Sequence, residues 1–259
     1  MASFDLARIV AETIVQRVAY HDVLDSTNDF ALAELATGEV TQPLLVLADR
    51  QRAGRGRAQN RWWSAPGSLT FSLVVDGNAW NLSARSWPRI SLGTSLAVSE
   101  VLRFIVPNEE VQLKWPNDVY LRSKKVCGIL VESSPRHPNL LVIGVGMNVN
   151  NSLSEAPSEL RETAISLVEA FGYPLDRTDL LVRVLRQLSD RLRQLSTREW
   201  PLSDCWSEHC MLQGRTVCVV SGARRHVGVC QGIDDEGALL LQSDAGLQKL
   251  FAGVVARIL

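Results

Sequence analysis

At 259 residues, 46% of them hydrophobic and 21% charged, with a formal net charge of −1, the chain has the make-up of a globular protein large enough for one sizeable domain and a second small one. A near-zero charge argues against a general nucleic-acid binder, which carries a basic excess, and no apolar run reaches membrane-spanning length. Five cysteines, an odd number without metal-type spacing, and an N-terminus with an early acid at Asp5 and no long apolar stretch predict free thiols, no signal peptide and a cytoplasmic location.

Leu6, Ile9, Val10, Ile14, Val15 and Val18 recur at helical spacing and predict an amphipathic helix over residues 5–19. That is too little for a helix-turn-helix domain, which needs further helices, so operator DNA binding is not expected. Ser26 with Asp29 three residues on is a capping pattern that opens an Ala/Leu-rich helix to about residue 36. Residues 43–48 form a short apolar strand and run into a loop with arginines at 50, 52, 55, 57 and 61 and glycines at 54 and 56. Glycines let a backbone approach an anion closely, and arginines supply forked donors that match phosphate or carboxylate oxygens. The loop leads into another strand, residues 69–75, which excludes the glycine-rich nucleotide loops that open a helix. An RNA-binding Arg/Gly segment with stacking tryptophans, or a solvated basic loop, are the alternatives at this point.

A helix over residues 91–105 leads to the segment from Lys114 to Glu132, where chemistry is expected. Residues 111–114 and 119–121 have strand character, with Pro116, Asn117 and Asp118 as a kink between them. Residues 122–124 read as a hairpin turn and 126–131 as the returning strand, which would set Asp118 and Lys125 on neighbouring strands. Of 27 basic residues only Lys114, Lys124, Lys125 and Lys249 are lysines, and three of the four fall here. A compact ammonium differs physically from a planar guanidinium fork, so the choice carries meaning. A strand over 140–143 ends in Gly144 and Gly146, with Asn148 and Asn150 offering amides. Helices over 163–171 and 179–195 read as a cover for one face of a sheet. Beyond residue 211 short strands at 216–220, 225–230, 238–242 and 248–251, separated by turns, predict a small all-β barrel. The domains expected are therefore 1–210 and 211–259.

Taken together, Gly54, Arg55, Gly56 and Arg57 with Trp62 and Ser64, then Lys114, Trp115, Pro116, Asn117 and Asp118 followed by Lys125 and the run Gly128 to Glu132, then Gly144, Gly146 and Asn148, resemble the biotin protein ligases. The resemblance runs from about residue 21 to the C-terminus, and residues 232–240 resemble that family's C-terminal barrel. It implies an α+β catalytic domain akin to class II aminoacyl-tRNA synthetases, with a mixed sheet and covering helices, followed by an SH3-like barrel. It also implies a two-step reaction. Biotin and MgATP give biotinyl-adenylate and pyrophosphate, and the ε-amine of a lysine on a biotin carboxyl carrier protein then takes the biotinyl group and releases AMP.

Carried over by residue, Ser26, Thr27, Asn28 and Gln51 match positions that hold the biotin ureido ring, and Gly54, Arg55, Gly56 and Arg57 match the loop that closes over the ligand. Trp62 matches a position packing on adenine, Asn117, Asp118 and Asn148 line the nucleotide side, and Lys125, beside Gly128, contacts both biotin and adenylate. Arg57, Lys125 and Mg²⁺ would offset the like-charge repulsion between a carboxylate and the α-phosphate. Asp118 would orient or deprotonate the acceptor amine; the metal's protein ligands are not identified. The chain departs from the usual bacterial loop in having Ala58, Gln59 and Asn60 after Arg57, which loses a glycine and charge. Competing readings are a lipoate- or octanoate-activating enzyme of the same fold, a biotin sensor that forms little adenylate, and an RNA-binding module. Either a monomer or the homodimer usual in this family is compatible with the sequence.

Overall fold

The computed structural model describes residues 4–38, 42–82, 86–107, 109–134, 136–197 and 200–259. Its organising element is a seven-stranded mixed sheet. In chain order the chain forms α1 (Leu6–Glu12), β1 (Arg17–Leu24), α2 (Thr27–Thr37), β2 (Leu44–Gln51), β3 (Leu69–Asp76), α3 (Trp87–Ile105), β4 (Val111–Lys114), β5 (Asp118–Leu121), β6 (Lys124–Ser134) and β7 (His137–Met147). The strands lie in the order β1-β2-β3-β7-β6-β5-β4. Only β1 and β2 are parallel, joined through α2; every other neighbouring pair is antiparallel.

The continuous apolar run of β2 is explained by burial on both faces. Leu44 and Val46 point under α2 with Ala31, Leu35, Val74 and Val142. Leu45 and Leu47 point the other way, into the main core with Phe71, Leu73 and Ile143. That second face is covered by α3 and by α6 (Arg177–Thr197), which follows α4 (Ser158–Thr163) and α5 (Leu167–Phe171). Leu181, Leu185, Leu188, Leu192 and Leu195 form the buried stripe of α6 at helical spacing. Each such side chain contributes about 1.5–3 kcal/mol on burial.

After α7 (Leu202–Ser207) the chain forms β8 (Thr216–Ser221), β9 (Arg224–Ile233), β10 (Leu239–Ser243), β11 (Gly246–Leu250) and β12 (Val254–Ile258), a separate antiparallel sheet in the order β11-β10-β9-β8-β12. Its turns use Gly222, Gly237 and Gly246 at positive φ. The two sheets are joined by a buried hydrogen bond in which the Trp115 indole donates to the Gly237 carbonyl at 3.2 Å. Leu113 and the backbone of His209 and Met211 add a short pairing between the end of β4 and the connection.

Several expectations need correction. The helix expected over 5–19 stops at Glu12, and Arg17–Leu24 is strand β1; Val18 and Tyr20 pack on the main core from an extended chain. Gly144 and Gly146 do not follow a strand but lie inside β7. Of the helix expected over 163–171 only α5, Leu167–Phe171, forms; α4 ends at Thr163, Ala164 bridges to Lys125 and Ser166 starts a new capping box with Glu169. The last strand, β12, and α7 were not anticipated. Among the described residues no helix is long and apolar enough to cross a membrane.

Candidate active site

The Arg/Gly loop is a small hairpin. Trp62 N donates to Gly54 O at 2.8 Å, Gly56 N to Asn60 O at 2.7 Å and Asn60 N to Arg57 O at 2.9 Å, with Arg55 bridged to Arg61 across it. Ala58 forms the tip at φ 49°, ψ 45°, in the left-handed region. Only glycine fits at position 54, since a Cβ there would lie 2.6 Å from the Trp62 carbonyl oxygen and 3.0 Å from the Gln51 side-chain nitrogen.

The hairpin folds the Trp62 indole onto a glycine floor. Gly128 of β6 and Gly146 of β7 are paired, and Trp62 lies against both, so close to Gly146 that a Cβ there would sit inside the indole. Gly144 opens the same strand to the Asn28 carboxamide. The buried Trp62 Nε1 has no hydrogen-bond partner among the described residues.

Behind the floor runs a buried polar chain. Ser26 caps α2, its hydroxyl accepting from Asp29 N at 3.3 Å. Gln51 Oε1 accepts from Thr27 N at 2.7 Å and lies 3.2 Å from Thr27 Oγ1. The Ser72 hydroxyl lies 2.8 Å from Thr27 Oγ1 and 2.6 Å from Asn28 Oδ1. Asn28 Nδ2 donates to Glu132 Oε2 at 2.8 Å and to Leu130 O at 3.3 Å.

Opposite it sit the charges. A register shift between Val119 and Tyr120 sets Asp118 against Gly128, and Lys125 Nζ reaches Asp118 Oδ1 at 2.6 Å. Asn117 clips its turn to β6, Nδ2 donating to Ile129 O at 2.5 Å while Ile129 N donates to Asn117 O at 3.0 Å. Lys114 Nζ stands 5.6 Å from the centre of the Tyr120 ring. Burial pulls the Lys114 ammonium below its ordinary value, with Asp118 opposing and Lys125 reinforcing the shift. Burial likewise lowers Arg57, with Asp118 acting the other way.

The two arginines of the loop are in different situations. Arg55 is bound bidentately by Glu132, at 2.9 and 2.6 Å, and also meets Asp29 at 2.7 Å; the Glu132 hydrogen bond holds its guanidinium above the usual range. The Arg57 side chain makes no hydrogen bond or ion pair among the described residues and lines the cavity.

Ser26, Thr27, Asn28, Gln51, Arg55, Gly56, Arg57, Trp62, Asn117, Asp118, Lys125 and Gly128 thus line one cavity. Two expected residues do not. Gly54 lies behind the cavity, as the closest rung of the hairpin. Asn148 is buried at the end of β7, its Oδ1 accepting from Asn151 Nδ2 at 3.2 Å and its carbonyl accepting from Leu167 N at 3.1 Å. The sequence reading missed Lys114 as a wall residue, the contribution of Gly253, Val254 and Val255 from the second sheet, and Ser72 and Glu132. The β-branched residues Val254, Val255 and Ile258 close to the C-terminus would have disclosed β12, and with it the second sheet's share of the wall. Ser72 stood in an apolar strand and gave no signal.

The profile of the Biotin/lipoate A/B protein ligase family matches residues 20–148, and that of the Biotin protein ligase C terminal domain matches 214–257. The chain is 32% identical over 245 residues to the Bifunctional ligase/repressor BirA of Bacillus subtilis, covering 93% of this chain and 74% of that protein. It is 33% identical over 236 residues to the Biotin--[acetyl-CoA-carboxylase] ligase of Mycobacterium tuberculosis, covering 90% and 86%. The structure of the biotin protein ligase from Aquifex aeolicus in complex with biotin and ATP superposes with a TM-score of 0.79 at 29% identity, over 92% of this chain and 97% of that one.

Proposed function

The chain belongs to the biotin/lipoate A/B protein ligase family, and we propose from its own residues how it runs that family's chemistry. It is an ATP-dependent ligase that activates biotin as biotinyl-5′-AMP and transfers it to a lysine of a biotin carboxyl carrier protein. The observation that carries the mechanism is the placement of Arg57, Lys125 and Lys114 around one cavity whose opposite end is the polar set of Ser26, Thr27, Asn28 and Gln51.

The first step sets a carboxylate against the α-phosphate, two anions that water would keep apart. Arg57, with no protein acceptor of its own, and Lys125 supply the positive charge that holds both reactants in line. Trp62 and the paired glycines 128 and 146 provide a flat apolar slot suited to the adenine ring. Gln51 keeps its amide nitrogen, and Ser26 its hydroxyl proton, for the carbonyl of the ureido ring, since the Gln51 oxygen is already taken by Thr27. In the second step the mixed anhydride is already activated. Asp118, 2.6 Å from Lys125, orients the incoming amine or takes its proton, and release of Lys125 would accompany the latter role.

The donor set fits an Mg²⁺ brought in by ATP rather than one caged by the protein. Among the described residues no cluster of three His, Cys, Asp or Glu side chains could hold a metal, and Asp118 is the one carboxylate lining the cavity. Phosphate oxygens, water and at most Asp118 would be its ligands, and its contribution would be neutralisation of phosphate charge.

Residues 1–210 form the ligase domain, akin to class II aminoacyl-tRNA synthetases, and 211–259 an SH3-like barrel. The second sheet and the matched C-terminal domain, residues 214–257, support that division. Five cysteines without a disulfide agree with a cytoplasmic setting. ATP–pyrophosphate exchange with biotin, lipoate and octanoate offered separately tests the reading. Exchange with biotin alone is expected; exchange with lipoate or octanoate would move the chain to a sister activity.

A further inference from the structure

Glu132 touches both halves of the site while standing at its edge. Its Oε2 accepts from Asn28 Nδ2 at 2.8 Å and from Arg55 at 2.6 Å, and its Oε1 accepts from Arg55 at 2.9 Å. An ionised carboxylate has lone pairs only, and that one-sidedness propagates. Asn28 must turn its NH₂ toward Glu132, which leaves Oδ1 facing Ser72. Ser72 must then donate its single proton to Asn28, 2.6 Å away, and can only accept from the Thr27 hydroxyl at 2.8 Å. With Gln51 Oε1 held by Thr27 N at 2.7 Å, the groups left facing the cavity are the Gln51 amide nitrogen and the Ser26 hydroxyl. The carboxylate thus sets the direction of the bonds through Asn28 and Ser72 to the Thr27 hydroxyl, while backbone N–H groups of Thr27 and Asp29 fix Gln51 and Ser26.

The same carboxylate holds the loop. Arg55 belongs to the hairpin that carries Arg57 and Trp62 over the cavity, and Glu132 and Asp29 are its anchors on β6 and α2.

We infer that Glu132 is a positioning residue with two tasks: it orients the Asn28, Ser72 and Thr27 side chains in the wall of the acid-binding pocket, and it latches the closing hairpin through Arg55. The inference rests on the pocket at residues 26–28 and 51 being the biotin site. Three variants separate the tasks. Glu132→Gln keeps shape but removes the charge and brings an NH₂ that faces Arg55 in either orientation, so the bidentate latch is lost while an oxygen can still accept from Asn28. Ser72→Ala disturbs the polar chain alone, and Asp29→Asn the latch alone.

Two readouts are needed: the biotin Kd by calorimetry without ATP, and the half-life of biotinyl-adenylate formed on the enzyme, followed by its appearance in the filtrate. Loss of a hydrogen bond to a charged group weakens binding about tenfold or more. Glu132→Gln should therefore shorten adenylate retention about tenfold and, because a neutral oxygen accepts from Asn28 less strongly than a carboxylate, raise the biotin Kd by a smaller factor. Ser72→Ala should raise the Kd with retention near wild type, and Asp29→Asn should shorten retention with the Kd near wild type. Wild-type values for Glu132→Gln in both assays would overturn the inference, as would a Ser72→Ala variant with unchanged Kd together with an Asp29→Asn variant with unchanged retention. Those two variants carry the test if Glu132→Gln melts early. A wild-type protein that binds no biotin would overturn the functional reading itself.

Discussion

Substituting Gly54 with alanine puts the closing hairpin itself to the test. The added methyl would lie 2.6 Å from the Trp62 carbonyl oxygen, 3.0 Å from the Gln51 side-chain nitrogen and 3.3 Å from the Trp62 Cβ, where ordinary contact begins at 3.4 Å. The nearest atom is backbone, so no rotamer change relieves it, and the two arms must part by about 0.8 Å, the difference between 3.4 and 2.6 Å. The rung most exposed to that movement is the 2.8 Å hydrogen bond from Trp62 N to Gly54 O. Losing it costs about 0.5–1.5 kcal/mol, and the accompanying shift of Trp62 off the glycine floor and of Gln51 from Thr27 costs about as much again. A total near 1–3 kcal/mol against the closed hairpin corresponds to roughly 5- to 150-fold. The hairpin contributes no side chain to the main core beyond this floor, so the melting temperature should move by only a few degrees. Biotin-dependent pyrophosphate exchange, measured beside a melting curve, makes the comparison. A Gly54→Ala enzyme that exchanges at the wild-type rate would show that the hairpin need not close in this form.

Lys125→Ala and Arg57→Ala should each leave the far-ultraviolet spectrum unchanged while reducing adenylate formation by about a hundredfold or more, because each removes a cation aimed at developing charge; wild-type turnover in either would remove its assigned role. Lys114 has a folded-state value held below 10.5 by burial, so the unfolded chain binds more protons as pH climbs toward 10.5 and stability should rise with pH in that window. The difference in urea midpoint between wild type and Lys114→Met should therefore increase with pH there, and parallel curves would contradict it. Trp115→Phe deletes the indole bond to Gly237 O and should cost about 1–2 kcal/mol in urea unfolding. Cys127 is fully buried and its thiol is pushed up by burial, so alkylation near neutral pH should label the half-buried Cys205 and Cys218 first, as peptide mapping would reveal.

The segment from Lys114 to Glu132 was legible because its polarity is local: a two-stranded hairpin with a short turn dictates which side chains meet, and Asp118 and Lys125 do meet. Gly144 and Gly146 were expected to end the strand, since glycine spacing looks alike whether the chain bends or another side chain presses on it. Their actual partners, Asn28 and Trp62, are more than eighty residues away in sequence. Asn148 failed for a related reason. Its amide serves Asn151 within the loop that follows, a short-range use indistinguishable in sequence from a ligand contact. Residues 17–24 alternate too weakly to separate strand from helix, and only the parallel pairing with β2 decides. Glu132 was visible in the motif but mute, because its significance lies in having two partners on elements that only the fold brings to it.

An acyl-adenylate reacts with any neutral amine in reach, so an enzyme that makes one is exposed to its own product. This chain offers it few targets, with four lysines against twenty-three arginines, and a guanidinium stays protonated where an ammonium can lose its proton. Lys125 is paired with Asp118 at 2.6 Å and Lys249 with Asp234 at 2.8 Å, so each ammonium has a carboxylate partner. Lys114 lines the cavity, lies over Tyr120 rather than in an ion pair, and loses its proton more readily than an exposed lysine. Lys124 is not among the residues lining the cavity, so self-labelling, where it occurs, should fall on Lys114, and the mass of the aged enzyme would record how long its intermediate had lingered.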